Sequence, residues 1–167
     1  MLKSQDVFVL LKLVARGNRS WTYPALAAEL GMSASEVHAA IKRATEAGLF
    51  LSAKRTVNRS ALLEFLVHGM KYAFPAARTS LTRGMPTSHA AAPLKAHFRG
   101  SLDLPPVWPD PEGEVRGEGV EPLYRSVPYA ARADARLYEW LALVDAVRLG
   151  RAREREIAVR ELRSRLG

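Results

Sequence analysis

Apolar residues recur at helical spacing from the start of the chain. Val7, Leu10, Leu11 and Val14 fall three and four apart, with Ser4 available as a cap and Gly17 just past the end. The spacing predicts a first helix. Asn18 to Trp21 reads as a turn leading into a very short extended segment. A second helix is expected with Thr22 as N-cap, Pro24 in the first turn where its missing N–H costs nothing, and Leu26, Ala27 and Leu30 as the buried face. Gly31 ends it. A third helix is expected from Ser33, capped by that hydroxyl with Glu36 as the reciprocal partner three residues on. It runs to Ala47 before Gly48, with Val37, Ala40, Ile41 and Ala44 inward.

The pattern then changes character. Leu62, Leu63, Phe65, Leu66 and Met70 predict a fourth helix, capped by Asn58 or Ser60, that is apolar around most of its circumference. Such a helix is buried on two sides, either in a dimer seam or under a second layer of the same core. Between Phe74 and Phe98 the periodicity fails at Pro75, Gly84, Pro86 and Pro93, which marks an irregular but partly packed segment. Arg78, Arg83, Lys95, Arg99, His89 and His97 either line a groove there or are solvated. Residues 101–128 carry the run Leu104-Pro105-Pro106-Val107-Trp108-Pro109-Asp110-Pro111, then glycines alternating with glutamates, and read as an extended acidic linker. Trp108 is expected to anchor that linker on its own domain. The helical period returns from Asp134: Leu137, Trp140, Leu141, Val144 and Val147 share one face, Gly150 marks a break, and a second helix presents Ile157, Val159, Leu162 and Leu166.

The spacing within residues 4–59, about a third of the chain, resembles the winged helix-turn-helix family of bacterial DNA-binding regulators. Small Ala27, Gly31 four later and aliphatic Val37 six after that stand where two helices approach closely, turn, and pack back on each other. Trp21 stands where the family has its short first strand, and Gly48-Leu49-Phe50-Leu51 enters an apolar strand. Ser52 to Asn58, with Lys54, Arg55 and Arg59, stands at the basic wing. The resemblance implies that the outer face of the third helix meets the major groove. That face is Ser33, Ser35, Glu36, His38 and Ala39, with Lys42 and Arg43 one turn on. Ser35 and His38 suit base edges, whereas Lys42 and Arg43 suit phosphates.

Charge agrees with a polyanion partner. The formal net charge is +8, and its distribution is uneven. Residues 1–59 hold 9 basic and 4 acidic groups and residues 60–100 hold 5 and 1, whereas residues 101–127 reverse to 2 and 6 before 128–167 return to 9 and 6. The absence of cysteine excludes a disulfide framework, a thiolate metal site and a thiol nucleophile. No apolar run is long enough to span a membrane and the N-terminus does not read as a signal peptide, so a soluble cytoplasmic protein is expected. The four histidines lie apart in sequence. Neither a Gly-x-Ser-x-Gly nucleophile nor a P-loop ending occurs, so neither catalysis nor a cofactor or metal is expected.

The expectation is therefore a mainly α protein in three parts. Residues 1–74 would form a winged helix-turn-helix domain with its following helix, 75–128 an irregular Pro/Gly-rich segment and linker, and 129–167 a C-terminal helical pair. Its partners would be double-stranded DNA and a second copy of the chain. The alternative is an antitoxin-like or adaptor module that holds a partner protein through its linker and terminal helices.

Overall fold

The computed structural model describes residues 1–101 and 103–167. The chain is mainly helical with a small sheet. Its first three helices are α1 (Ser4–Arg16), α2 (Tyr23–Leu30) and α3 (Ala34–Glu46). Residues Val7 to Leu11 of α1 are fully buried, so this helix is the axis of the N-terminal half. Its cap is not Ser4 but Lys3, whose amide donates to the Asp6 carboxylate at 2.8 Å. The Ser4 hydroxyl is instead drawn off to the carbonyl of Leu123, also at 2.8 Å. Thr22 caps α2 through the Ala25 amide, and α3 has the reciprocal cap: the Glu36 amide donates to Ser33 Oγ at 3.1 Å and the Ser33 amide to Glu36 Oε1 at 3.2 Å. Gly31 joins the two helices at φ 66°, a left-handed backbone that glycine adopts without Cβ strain.

Trp21 does not enter a strand: residues 19–22 have no regular structure, and among the described residues β1 pairs with β2 alone. That hairpin is β1 (Phe50–Leu51) against β2 (Thr56–Val57), antiparallel with Phe50 opposite Val57. It leads into α4 (Arg59–His68), capped by Asn58 through the Ala61 amide, and the single turn α5 (Met70–Ala73).

The stretch expected as irregular segment and linker folds instead into a sheet. β3 (Arg78–Pro86) pairs antiparallel with both β4 (Pro106–Pro109) and β5 (Val115–Val120), and β4 pairs parallel with β5, so the three strands close on one another. Two short 3₁₀ turns, at Ser88–Ala90 and Leu94–Phe98, separate β3 from β4. The glycines that suggested flexibility permit this closure. A Cβ on Gly84 would lie 2.0 Å from the Trp108 carbonyl oxygen, and one on Gly117 would lie 2.1 Å from that of Pro105. Trp108 is 1% exposed and belongs to the core of its own chain.

Three helices complete the fold: α6 (Val127–Ala133), α7 (Ala135–Leu149) and α8 (Ala152–Leu166). The predicted face of α7, Leu137, Trp140, Leu141, Val144 and Val147, is buried, but so are Ala142, Leu143, Asp145 and Ala146, so the helix is covered nearly all round. It packs on α1, α4, α5, α6 and α8. In α8 the buried residues are Glu154, Ala158, Leu162 and Leu166, with Ile157 and Val159 only partly covered. The second layer over α4 is α8 and α7, and the apolar core runs without a break from α1 to α8.

Candidate nucleic-acid interface

The outward face of α3 is set by its inward one. Val37, Ala40, Ile41 and Ala44 are buried, so Ser33, Ser35, His38 and Lys42 stand in solvent and Ala39 is half-covered. Arg43 does not join them. Its Nε and Nη2 both reach the Asp6 carboxylate at 2.8 Å, and Asp6 is fully buried. A buried carboxylate requires such a partner, so Arg43 is committed to the core and not to phosphate.

The hairpin carries its cations at the turn. Lys54 and Arg55 are exposed, and Arg55 has φ 52°, closing the turn with its amide donated to the Ser52 carbonyl at 3.2 Å. No glycine marks this turn; the hairpin lies at the residues that the sequence placed at the wing. The Arg55 guanidinium lies 4.4 Å from the centre of the Trp21 ring, Trp21 meets Tyr23 edge-on at 5.3 Å, and Tyr23 packs on His38 at 4.8 Å. A row of four side chains thus ties the hairpin turn to the exposed face of α3. Arg55 also donates one Nη2 hydrogen to the Trp21 carbonyl at 3.4 Å, and stacking of this kind restrains Arg55 and His38 without using their remaining N–H groups. Arg59 is placed elsewhere: its Nη2 donates to the Arg165 carbonyl at 2.5 Å, joining α4 to the end of α8.

One group of contacts on α2 and α3 has no counterpart in the sequence pattern. The segment before α6 lies along the α2–α3 turn. The Tyr124 hydroxyl donates to Glu36 Oε2, the Ser126 hydroxyl donates to the Leu30 carbonyl at 2.6 Å, and the Tyr129 ring lies where a Gly31 Cβ would meet it at 3.0 Å. Arg125 is 76% exposed, stacks on Tyr124 at 4.6 Å and approaches Glu36 at 4.0 Å, adding a cation beside the N-terminal end of α3. Counted along the sequence, Arg125 belonged to the acidic stretch; the fold sets it beside the basic face. The Tyr124 hydrogen bond, with help from Ser33, holds the Glu36 carboxyl below its ordinary value of 4.5, so this acid on the helix face is ionised and occupied. Burial, then the bond to Glu36, raises the Tyr124 hydroxyl above 10.0. The signal that could have found this segment is Ser126 with Pro128 two residues on, a helix start inside the supposed linker.

The remaining candidates are dispersed. Arg78 pairs with Glu118 at 2.8 Å on the sheet, while His89, Lys95 and Arg99 line a groove of about 430 Å³. Among the described residues, no group of three or more His, Asp or Glu side chains is placed to hold a metal ion, and no helix is long and apolar enough to cross a membrane. Compared with family models, with curated proteins and with solved structures, the chain matches none.

Proposed function

We propose that residues 4–68 form a winged helix-turn-helix module that binds double-stranded DNA as a sequence-specific transcriptional regulator, with α3 in the major groove and the β1–β2 hairpin as the wing. The observation that carries this reading is the row Arg55–Trp21–Tyr23–His38, which holds a cation at the hairpin turn and an imidazole on the exposed face of α3 as one surface. Lys42, Lys54 and Arg125 flank it, so the surface is positive with Glu36 already occupied. Ser35 and His38 are the base readers, and Lys42, Lys54 and Arg55 the phosphate contacts. Two reading side chains per copy give modest discrimination, and a homodimer on a two-fold site doubles it. The protein acts by binding and not by catalysis. The apolar face of α7 and most of β4 are used within the chain, which favours this reading over an adaptor that grips a partner protein through the linker and terminal helices.

Duplex binding measured against salt tests the proposal. Lys42→Ala with Arg55→Ala should reduce the slope of log affinity against log salt by about two units, near one for each phosphate left without its cation. Ser35→Ala or His38→Ala should alter preference among duplex sequences more than non-specific affinity. An unchanged slope, or no duplex binding at low salt, rejects the reading.

A further inference from the structure

We propose that the cavity between the start of α1 and residues 121–125 binds a small organic acid, an apolar ring or chain bearing one carboxylate. It has a volume of about 480 Å³, within the range of small-molecule sites. Phe74, Pro122 and Leu123 supply an apolar wall, Tyr124 an aromatic one, and Arg125 and Arg148 the cations.

Arg148 is what marks the cavity as a site. Its side chain is only 4% exposed, its Nε donates to the Phe74 carbonyl at 2.9 Å and its Nη1 to Asp145 at 2.8 Å. Nη2 makes no hydrogen bond among the described residues. The rest of this guanidinium is held, but Nη2 has no protein acceptor among the described residues and is not sealed from solvent, so on a side chain that lines the cavity it is open to a ligand acceptor there. Asp145 is not that acceptor: its other oxygen already takes Trp108 Nε1 at 2.8 Å and Thr87 Oγ1 at 2.6 Å. A ligand carboxylate fits the vacant N–H, with the exposed guanidinium of Arg125 closing from the rim and Glu121 rejecting a second negative charge. The apolar wall then covers the rest of the molecule.

Tyr124 connects the site to α3, because one side of it lines the cavity and its hydroxyl holds Glu36. Filling the cavity therefore acts on the orientation of the Tyr124 contact and on the α2–α3 turn beneath it. This link rests on the DNA reading above; the binding site does not.

Calorimetric titration of the full chain with benzoate and phenylacetate tests the site, with benzamide as the uncharged match. Both acids should saturate one site below about 1 mM, and benzamide should bind at least about tenfold more weakly. Arg148→Ala leaves Asp145 without its ion-pair partner and endangers folding, so Gln5→Trp is the better variant. Gln5 lines the same cavity, is partly exposed, and an indole there fills the space. It should abolish binding at an unchanged melting temperature, and Arg125→Ala should weaken it several-fold. Equal affinity for benzamide, binding indifferent to Gln5→Trp, or no saturation by either acid overturns the site. Saturating benzoate should change the affinity for duplex DNA; an unchanged value overturns the link to α3. Acid binding with no duplex binding at all leaves the site standing and removes the DNA reading.

Discussion

Each half of the chain buries an aspartate, and the two are satisfied in different ways. Asp6 on α1 receives both prongs of Arg43 from α3 and the Lys3 amide from its own cap, so two neighbouring helices suffice. Asp145 on α7 gathers Arg148 from its own helix, the Trp108 indole from β4 and the Thr87 hydroxyl from the turn after β3. In the N-terminal half, helices written by local periodicity and caps close the core around the Asp6–Arg43 pair and the buried Lys12, which reaches Glu29 at 3.3 Å and Asp134 at 2.7 Å, and the outer face of α3 is left free. In the C-terminal half the polar and aromatic groups are used internally to hold strands far apart in sequence. A surface available for recognition is therefore found where folding required least of the exposed side chains.

The comparison breaks first, if it breaks, on truncation. Ending the chain after Pro128 removes α7 and α8, including fully or nearly fully buried Leu137, Leu141, Val144 and Leu162, each worth about 1.5–3 kcal/mol of burial. Residues 1–128 should aggregate and lose a cooperative melt, read by light scattering and circular dichroism. A monodisperse fragment melting like the parent would mean that residues 1–128 stand without α7 and α8. Next in size is Asp145→Ala, which strands the buried Arg148 and removes the acceptor of Trp108 and Thr87. It should destabilise the chain by about 3–5 kcal/mol in denaturant titration, the range for breaking a buried pair from one side. A loss under about 1 kcal/mol would show that the network is not the hub of that half.

Arg43 and its neighbour sharpen the contrast within a single helix. Arg43→Ala leaves Asp6 charged in a fully buried site and should cost about 3 kcal/mol, the low end of the buried-pair range because the arginine is itself 18% exposed. Lys42→Ala should leave stability within about 0.5 kcal/mol, as for an exposed side chain that pairs with no group among the described residues. Its effect should appear instead as a shallower salt dependence of duplex binding, by about one unit. If the two variants exchange these effects, the assignment of one to the core and the other to the surface is wrong.

The helices of the first half were legible because their evidence is local: Thr22, the Ser33–Glu36 pair and Asn58 cap where expected, and Gly31 turns where expected. The exposed face of α3 followed from the same periodicity. What periodicity could not reveal was a partner far away in the chain. Arg43 looks like a surface cation until Asp6, 37 residues earlier, is placed beside it. Pro105, Pro106 and Pro109 read as linker because proline weakens a strand, yet β4 needs only a few residues and gains its order from β3 and β5 on either side. Tyr124 gave no signal, since its role depends on a carboxylate 88 residues before it.

A small effect is also expected at that contact, where the two halves meet. Tyr124→Phe removes one hydrogen bond to Glu36, which is itself a third exposed, so solvent screening holds the loss to about 1 kcal/mol or less. Its pH dependence is the more telling measurement. Because the Glu36 carboxyl titrates below its ordinary 4.5 when folded, the contact contributes stability above that pH and loses it as the pH falls through the lower folded value. On the alkaline side the Tyr124 hydroxyl, raised above 10.0 in the fold, contributes stability at neutral pH that is lost as the pH rises through its folded value. The parent and Tyr124→Phe should therefore differ in melting temperature at neutral pH and converge only as the pH falls below the ordinary Glu36 range. Parallel curves that never converge would show that the ionised Glu36 is not what Tyr124 holds, and that the second half touches α3 only by packing.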